Sequence, residues 1–413
     1  MARVKASGVS AVDPIDKQVA TYMRGSEFGD LQIKEQMAKE LRQRLIEAQK
    51  EGRPLRVYCG FDVTAPDLHL GHTIPMNKLR QFQDFGHDVT FVIGTFTTLI
   101  GDPSDRDEAR VVALKERVMK NARTYAEQAF KILDKKKTSI KYNYDWLSKL
   151  TFTDVISMAS CFTVQQFIAR DRIRNRLDKG DPIWLRELLY ALAQGYDAVH
   201  LKTDVQLGAT EQLFNLMAGR RLQEAFGQKP QVCLTYPVLV GTDGNDRMSK
   251  SRGNYIGIAE PPEEIYGKTM SIPDSILMQY FEMLTDVPDE ELVKFKQQIE
   301  RGVNPMSLKK RLAREFVTRF YSAKDARTAE EHFEKTVQKK EIPDEVEEYR
   351  IEPGITISQL LVDSGLTASR SEAVRLIKQG AVTSDGKKID DFNESVNKGV
   401  IIKVGKRRYL KTI

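Results

Sequence analysis

Two short apolar segments with an amphipathic segment between them limit the fold of this chain more than any other feature. Arg56–Phe61 and Asp88–Gly94 have the length and composition of buried strands, and Leu68–Phe85 between them has helical periodicity. A strand, a helix and a second strand in this order are typical of parallel strands joined by a crossover helix. Strand-like segments recur at Asp204–Gly208 and Gln231–Gly241. The pattern predicts an α/β fold with a doubly wound, Rossmann-like parallel sheet.

The pattern divides the 413 residues into four segments. Residues 1–55 are an N-terminal extension with a charged helix, and residues 56–260 carry the strand and helix pattern of the parallel sheet. Residues 261–345 have helical patterns without strong strand signals, which predicts an α-helical domain. An acidic stretch at residues 341–352 reads as a linker to a small α+β domain at residues 353–413.

Composition excludes several classes of protein. Hydrophobic residues make up 41% of the chain and charged residues 30%, a balance that supports packed cores. No run approaches the ~18 consecutive apolar residues of a membrane span, and the N-terminal segment lacks the apolar core of a secretory signal. The three cysteines are far apart and form no CxxC pair, which argues against a zinc ribbon and a disulfide framework. We therefore expect a cytoplasmic protein that does not act at a membrane.

The excess of positive charge lies in the last segment. Residues 353–413 contain 11 Lys and Arg against 6 Asp and Glu, which leaves 53 basic and 52 acidic residues in the rest of the chain. A charge run is often only a solvated surface, but here a capping pair, Ser369 and Glu372, precedes an apolar helical face that ends at Gly380. A compact basic module predicts polyanion binding, most simply of RNA. The predicted phosphate contacts are Arg370, Arg375, Lys378, Lys403, Lys406, Arg407 and Arg408, with Lys411 beside them.

A phosphate site is expected where the first strand of the sheet leads into the first helix. The chain has neither a Walker A loop nor a GxGxxG fingerprint, and His69-Leu70-Gly71-His72 stands at this position. A helix N-terminus offers free N–H groups and positive dipole character. Two imidazoles three residues apart share a helix face, and Gly71 lets a flat nucleotide approach the backbone. The same four residues are also compatible with two ordinary surface histidines, so this motif alone is weak evidence for a phosphate site.

A second candidate phosphate site is Arg247-Met248-Ser249-Lys250-Ser251, which follows a Gly-Asn-Asp turn. Cations, hydroxyl groups and nearby glycines suit a mobile loop that closes over a triphosphate. As a lone pentapeptide it fits any exposed basic loop. The two motifs together, about 175 residues apart in one doubly wound fold, are strongly specific.

These two motifs resemble the HIGH and KMSKS signatures of class I aminoacyl-tRNA synthetases, and the surrounding residues narrow the resemblance to the bacterial-type tyrosyl-tRNA synthetase family. The basic module is similar to the S4-type RNA-binding domain that many members carry. The resemblance covers Arg56 to the end of the chain. The further segments that carry it are Tyr58–Asp62 with Thr64, Ile100–Ser104, the YxxxQxxD helix with Tyr190, Gln194 and Asp197, and Gln206–Gln212.

The resemblance implies a tyrosine–tRNA ligase, in which residues 56–260 are the catalytic domain and residues 261–345 belong to the anticodon region. Such an enzyme activates L-tyrosine with ATP to tyrosyl-adenylate and pyrophosphate, and then transfers the tyrosyl group to the 3′ end of tRNA(Tyr). It must distinguish tyrosine from phenylalanine by one hydroxyl group, which a buried site with matching polar groups achieves. The residues implied for tyrosine are Tyr58 and Asp197 at the hydroxyl group, and Asp102, Tyr190, Gln194 and Gln212 at the ammonium group.

The resemblance also implies the residues that handle ATP. Magnesium is expected to enter with ATP, because Mg²⁺ is usually held by phosphates and water. No metal bound by the protein itself is expected. The residues implied for ATP binding are Cys59, Gly60, Asp62, His69, Gly71, His72, Gly208, Glu211 and Lys250. The groups implied for catalysis are His69, His72, Thr64, Arg106, Arg110, Arg247 and Lys250.

The family resemblance further implies a homodimer, for which the apolar stretch Val155–Ile168 is a candidate interface, and no DNA partner. Three positions depart from the family pattern: Arg247 replaces a lysine, Asp105-Arg106 replaces a common Gly-Lys, and Glu211 replaces a shorter Asp. Two other interpretations stay open. A tryptophanyl-tRNA synthetase shares the fold and both signatures, and a catalytically inactive synthetase-like protein would bind RNA without forming an adenylate.

Overall fold

The computed structural model describes residues 13–103, 115–338, 346–405 and 408–413. These residues form two compact units. One unit contains the described residues up to Pro261 together with Lys268–Phe320, and the other contains Pro262–Gly267 and Tyr321–Ile413. Within the described ranges, no helix is long and apolar enough to cross a membrane.

The first unit is built around a parallel sheet of five strands. They are β1 (Arg56–Phe61), β2 (Asp88–Ile93), β3 (Thr138–Tyr142), β4 (Val205–Ala209) and β5 (Val232–Tyr236). Their order in the sheet is β3-β2-β1-β4-β5, and all neighbours are parallel. The chain adds strands on one side of β1 and then on the other, so the topological switch point lies between β1 and β4. The doubly wound α/β fold predicted from the sequence is confirmed.

Helices surround this sheet and fill the segment between β3 and β4. Their order follows the predicted alternation of strand and helix. The predicted helix after β1 ends just before Gly86, a glycine with a φ of 87°. The helices of this part of the chain are α1 (Pro14–Met23), α2 (Leu31–Lys50), α3 (Leu70–Asp84), α4 (Thr97–Ile100), α5 (Lys115–Ala129), α6 (Tyr144–Leu147), α7 (Phe152–Ala159), α8 (Val164–Ile168), α9 (Asp171–Lys179), α10 (Leu185–Leu201) and α11 (Leu213–Ala225).

The segment after residue 260 is helical, as its pattern predicts. Short 3₁₀ turns lie in the first unit, at Lys135–Lys137, Thr210–Gln212 and Lys250–Arg252. A π-helical turn lies in the segment after residue 260, at Glu334–Gln338. The helices are α12 (Pro262–Met270), α13 (Asp274–Leu284), α14 (Asp289–Glu300), α15 (Met306–Phe320) and α16 (Ala323–Phe333).

The second unit contains a small mixed sheet at its C-terminal end. Its strands are β6 (Glu347–Tyr349), β7 (Val382–Ser384), β8 (Lys387–Lys388), β9 (Ile401–Val404) and β10 (Arg408–Thr412), in the order β6-β10-β9-β7-β8. Two helices, α17 (Ile357–Asp363) and α18 (Arg370–Lys378), share one apolar core with it. The predicted small α+β module is present, and the sheet also includes β6, which the sequence pattern placed in the acidic linker.

Candidate active site

A cavity of about 340 Å³ lies at the carboxyl ends of β1 and β4. This is the switch point of the sheet, where doubly wound folds bind their ligands. Three predicted residues, Tyr58, Gln194 and Asp197, are buried and do not line the cavity. Arg106 and Arg110 fall outside the described residues. The predicted residues that line the cavity are Cys59, Gly60, Asp62, Thr64, His69, Gly71, His72, Asp102, Tyr190, Gly208, Glu211, Gln212, Arg247 and Lys250.

The two histidines of the first motif cap the N-terminus of α3. The Nδ1 atom of His69 accepts a hydrogen bond from the Gly71 N–H at 3.1 Å, and the Nδ1 atom of His72 accepts one from the His69 N–H at 3.1 Å. A neutral imidazole with an accepting Nδ1 carries its proton on Nε2. Burial, with the charge of Lys250 adding to it, lowers the pKa of His69 well below its usual value and that of His72 to about 4. Both rings are therefore neutral at pH 7 and offer Nε2–H donors.

Gly71 is favoured by the geometry of the cap. A Cβ atom at this position would lie 3.0 Å from Cε1 of the His69 ring. A larger residue would require that ring to shift by a few tenths of an ångström. The absence of a side chain thus serves the histidine geometry, a reason that differs from the nucleotide approach inferred from the sequence.

Asp62, directly after β1, links helices α4 and α10 through hydrogen bonds to one residue of each. Its Oδ1 accepts a hydrogen bond from Thr97 Oγ1 at 2.7 Å, and its Oδ2 accepts one from the Tyr190 hydroxyl at 3.2 Å. A Cβ atom at Gly94 would lie 2.3 Å from Asp62 Oδ1. Thr97 and Gly94 were not predicted as site residues, because no sequence motif marks a residue whose role is to leave room for another.

Asp197 lies on α10 in a fully buried position. Its carboxyl group accepts hydrogen bonds from Trp146 Nε1 at 2.8 Å and from Asn143 Nδ2 at 3.2 Å. Burial raises the pKa of Asp197 to about 8, although both hydrogen bonds act in the opposite direction. The Tyr58 hydroxyl, also buried, lies 3.5 Å from the backbone oxygen of Gln194 on the same helix. Trp146 and Asn143 are neighbours of Asp197 that no sequence motif marks.

Asp102 is the centre of a second polar group. Gln212 Nε2 donates to its Oδ2 at 3.1 Å, and Asn215 Nδ2 lies 3.4 Å from its Oδ1. The Asn215 amide also donates to Gln194 Oε1 at 3.1 Å. Of the residues predicted to hold the ammonium group of the substrate, Gln212 thus binds Asp102 directly, and Gln194 is linked to it through Asn215, which no sequence motif marks.

The second motif is brought to the first by main-chain hydrogen bonds. The Leu70 N–H donates to the Ile256 oxygen at 3.0 Å, and the Ile258 N–H donates to the Leu68 oxygen at 3.1 Å. Within the second motif, Asn254 binds the Ser249 N–H through Oδ1 at 2.8 Å and the Arg247 oxygen through Nδ2 at 3.0 Å. Two segments about 175 residues apart therefore face one cavity.

The basic residues of the C-terminal module differ in their surroundings. Arg370, Arg375 and Lys378 are exposed along α18. Lys403 is half-buried with Nζ 5.1 Å from the centre of the Tyr409 ring. Other predicted contacts are Arg408, which is exposed and donates to the Leu366 oxygen, Lys411, which pairs with Glu348 at 2.7 Å, and Lys406 and Arg407, which lie outside the described residues.

Comparisons with known proteins decide the family. The family model "tRNA synthetases class I (W and Y)" matches residues 49–338, and the model "Tyrosine–tRNA ligase SYY-like C-terminal domain" matches residues 338–411. The tyrosine–tRNA ligase of Dehalococcoides mccartyi is 51% identical over 88% of this chain and 92% of its own length. The chain belongs to the tyrosyl-tRNA synthetase family. The tyrosine–tRNA ligase of Carboxydothermus hydrogenoformans matches 97% of this chain at 46% identity, over 99% of its own length.

Solved structures of tyrosyl-tRNA synthetases share the fold. The enzyme of Archaeoglobus fulgidus, solved with L-tyrosine, has a TM-score of 0.59 at 22% identity, and the match covers 76% of this chain and 99% of that one. The mitochondrial enzyme of Aspergillus nidulans, truncated at its C-terminus, has a TM-score of 0.59 at 20% identity over 75% of this chain and 91% of that one.

Members of the tyrosyl-tRNA synthetase family are tyrosine–tRNA ligases of class I, so the predicted enzyme class and function are confirmed. Neither alternative from the sequence analysis is favoured. The two relatives named above are tyrosine–tRNA ligases at about half identity, and the C-terminal match is to a tyrosine–tRNA ligase domain, so a tryptophanyl enzyme is not favoured. ATP, tyrosine and tRNA are the partners that belong to this family.

Proposed function

We propose that the cavity carries out tyrosine activation with the residues that the sequence identified. The observation that carries this proposal is the meeting of both signature motifs at one cavity, through the hydrogen bonds between Leu68–Leu70 and Ile256–Ile258. ATP phosphates placed there would meet the α3 N-terminus on one side and the cations Arg247 and Lys250 on the other.

The tyrosine side chain points toward Asp197 in this proposal. Asp197 and Tyr58, which do not themselves line the cavity, bind its hydroxyl group in this proposal. Trp146 and Asn143 fix the orientation of the Asp197 carboxyl group. A phenylalanine ring would leave this buried polar group without its partner, which gives a physical basis for selection against it.

The ammonium group of tyrosine is held at the other end of the substrate. Asp102 supplies the negative charge, and Tyr190, Gln194 and Gln212 supply hydrogen-bonding groups around it. The Gln212 and Asn215 amides support this role because they already orient the Asp102 carboxylate. An ammonium group beside a carboxylate inside a protein is favourable only with such additional hydrogen bonds.

ATP lies between the carboxyl ends of β1 and β4. Its adenosine part contacts the segments after these strands, and its phosphates contact the Nε2–H groups of His69 and His72 and the backbone at Gly71. The segments after β1 and β4 that take the adenosine and its ribose contain Cys59, Gly60, Asp62, Gly208 and Glu211.

Catalysis then requires positioning and charge stabilisation more than covalent chemistry. The tyrosine carboxylate attacks the α-phosphorus, the bond to the bridging oxygen breaks, and pyrophosphate leaves with the negative charge. Arg247 and Lys250 stabilise that charge, the two neutral histidines donate hydrogen bonds, and Thr64 adds a hydroxyl group. Arg106 and Arg110 are proposed as further cations on the sequence pattern alone.

Magnesium is proposed to arrive with ATP. The described residues include no group of three or more metal-ligating side chains, while phosphate oxygens and water suit the octahedral coordination of Mg²⁺. The metal would neutralise phosphate charge, and the chain's own residues would hold the nucleotide that carries it.

The tRNA is proposed to bind the exposed basic side chains of the C-terminal module. Arg370, Arg375 and Lys378 along α18 offer phosphate contacts without sequence choice. The four-segment division at residues 1–55, 56–260, 261–345 and 353–413 remains our proposal for the division of labour. We also place the enzyme in the cytoplasm, where its substrates ATP and tRNA occur.

A second copy of this chain is proposed to cover the face formed by α7, α8 and the start of α10. These helices share one apolar cluster, yet several large apolar side chains point away from it. Phe152 is 80% exposed and Leu185 is 71% exposed. The others are Ile156, Val164 and Trp184. Exposed apolar side chains on neighbouring helices are typical of a protein interface.

The experiment that tests the proposed activation is ATP–pyrophosphate exchange with each of the twenty amino acids offered separately. Exchange with tyrosine alone is expected. Exchange with tryptophan would assign the chain to the sister specificity instead. A folded sample that binds RNA but shows no exchange with any amino acid would refute the proposal and favour an inactive RNA-binding protein.

A further inference from the structure

We propose that Glu211 and Asp67 are positioning residues that hold the two cations of the Arg247–Ser251 motif across the cavity until ATP phosphates replace them. The inference rests on the proposed function of Arg247 and Lys250 as phosphate-binding groups. It adds an internal competitor for those groups, and it assigns a role to Asp67, which no motif marks.

The first pair lies at the end of β4. Glu211 Oε2 lies 3.5 Å from Arg247 Nη1, and its other oxygen pairs with the Arg172 guanidinium of α9. The side chains of Arg247 and Glu211 are only 27% and 23% exposed, so water screens this pair less than a surface ion pair. Arg172 thus holds the carboxylate oxygen that does not face Arg247.

The second pair joins Lys250 of the motif to Asp67. Lys250 Nζ lies 3.3 Å from Asp67 Oδ2 in the segment between β1 and α3. The other Asp67 oxygen accepts a hydrogen bond from Gln128 Nε2 at 2.8 Å, and the Gln128 Oε1 accepts one from the Leu68 N–H at 2.7 Å. Asp67 is therefore fixed by a second group in the same way as Glu211.

The two pairs have a common consequence for nucleotide binding. Asp67 and Glu211 both line the cavity, so two carboxylates are paired with the cations that are proposed to bind the phosphates. The cations are kept oriented inward, which removes part of the cost of ordering long side chains when ATP binds. The same contacts weaken anion affinity, because phosphate must first displace a carboxylate.

The first pair also connects two departures from the family pattern. Glu211 is one methylene longer than the common Asp, and Arg247 is a planar guanidinium instead of a lysine ammonium. The sequence analysis noted them separately, and in the structure they are partners. A longer carboxylate between two arginines suits the forked geometry of guanidinium groups.

The test measures binding of tripolyphosphate to the full chain without tyrosine, at fixed ionic strength. Tripolyphosphate carries the charge of the ATP chain but no ribose, so a loss of ribose contact at Glu211 does not affect it. Glu211→Gln should tighten binding roughly fivefold. Asp67→Asn should tighten it roughly threefold, because the Asp67 side chain is 46% exposed and a more exposed ion pair contributes less. A variant that is merely misfolded would bind more weakly, so tightening has no trivial structural cause.

The matched control is Asp246→Asn. It removes the same charge from the same loop, but Asp246 pairs with Arg252 in an exposed position. Its tripolyphosphate affinity should stay within twofold of the parent. Equal tightening in all three variants would reduce the effect to net charge and overturn the proposal, and so would unchanged or weaker binding in both Glu211→Gln and Asp67→Asn.

Failure of the proposed function would give a different result. Lys250→Met and Arg247→Gln should each lose tripolyphosphate affinity if these residues bind phosphates. Retention of full affinity in both variants would refute the phosphate-binding role itself, whatever the two carboxylate variants do. The ATP-to-tripolyphosphate affinity ratio in Glu211→Gln reports the ribose contact separately.

Discussion

Asp197, which is proposed to bind the substrate hydroxyl group, is a buried carboxyl group whose ionisation affects stability. Its partners Trp146 and Asn143 are neutral donors, and burial raises its pKa to about 8. In the ligand-free enzyme this group is therefore largely protonated at neutral pH. A neutral carboxyl group costs less to bury than a charged one, which accounts for an acidic residue in the middle of the apolar helix α10.

Asp197→Asn is expected to change how stability depends on pH. With a folded pKa near 8 and an ordinary value of 3.8, the folded state binds more protons than the unfolded state between these limits. The stabilisation from Asp197 is fully present below pH 4 and is lost as the pH rises through 8. The variant lacks this loss. The difference between its free energy of unfolding and that of the parent should therefore rise by a few kcal/mol between pH 5 and pH 8.5, at ~1.4 kcal/mol per pH unit.

Urea unfolding of the ligand-free chain, followed by tryptophan fluorescence, measures this difference at each pH. Asp246→Asn, an exposed position, is the control and should run parallel to the parent. If Asp197→Asn also runs parallel to the parent, the carboxyl group is ionised in the folded state and its raised pKa is wrong.

At the scale of elements, α3 is fixed by its contact with α1 as well as by its own cap. Lys78, on the helix that begins at His69, is only 8% exposed, and its Nζ donates to the Thr21 oxygen at 2.9 Å. The Tyr236 ring, whose hydroxyl donates to the Tyr22 oxygen at 2.7 Å, lies 5.5 Å from the same ammonium group. The C-terminal carbonyls of α1 thus hold both α3 and a cavity-lining residue of β5.

Lys78→Met is expected to be more stable than the parent at pH 7.5. Burial lowers the pKa of Lys78 to about 8, below its ordinary value of 10.5. Between these pH values the folded state binds fewer protons than the unfolded state, so the parent becomes more stable as the pH rises. The free energy of unfolding of the variant should exceed that of the parent by about 3 kcal/mol at most near pH 7, and this difference should vanish near pH 10.5. Thermal unfolding at the two pH values measures it. A variant that is less stable at both would mean that the Thr21 hydrogen bond outweighs the burial cost.

The elements differ in how far the sequence could predict them. Strands β1, β2, β4 and β5 are short apolar runs, and each was predicted because it is buried on both faces. Strand β3 is a polar edge strand whose side chains alternate between half-buried and exposed, so its sequence, TSIKY, gives no apolar run. Strand β6 has three residues and is defined only by its pairing with β10.

The site shows the same division between local and tertiary information. Motifs marked His69, Gly71 and Lys250, because a helix cap or a mobile loop is a local feature. Asn215 and Asp67 gain their roles only from segments that folding brings together, Asn215 beside Asp102 and Asp67 beside Lys250, and no spacing along the chain reveals such partners. The sequence thus predicted half of the described residues that line the cavity, and missed the residues that hold that lining in place.

At the scale of the whole molecule, the exposed apolar face around α7 predicts association. Phe152→Glu and Leu185→Glu place charges where a second copy is proposed to pack, and a buried unpaired charge is strongly unfavourable. The double variant should sediment as a monomer at concentrations where the parent sediments as a dimer. Leu31→Glu, at an exposed apolar residue on α2, is the control and should stay dimeric. A parent that is monomeric at these concentrations would refute the interface.

The last prediction separates the chemistry of the sheet unit from tRNA binding by the C-terminal module. Arg370, Arg375 and Lys378 are exposed on α18, so their replacement by Gln leaves the apolar core of the module intact. The triple variant should keep ATP–pyrophosphate exchange unchanged, while its KM for tRNA rises and depends less steeply on salt, because fewer counterions are released. Lys387→Gln with Lys388→Gln, two exposed cations of the edge strand β8, is the control for net charge.

A deletion tests the same point independently, and the structure decides where to cut. Strand β6 pairs with β10, so a cut at residue 353 would leave one strand of the small sheet on the truncated chain. Truncation after residue 338, where the match to the C-terminal domain begins, removes the sheet as a whole. This shortened chain should form tyrosyl-adenylate at the parental rate and charge tRNA poorly. Charging that survives both the truncation and the triple substitution would place the main tRNA contact outside the module, and the basic excess of residues 353–413 would then be a solvated surface.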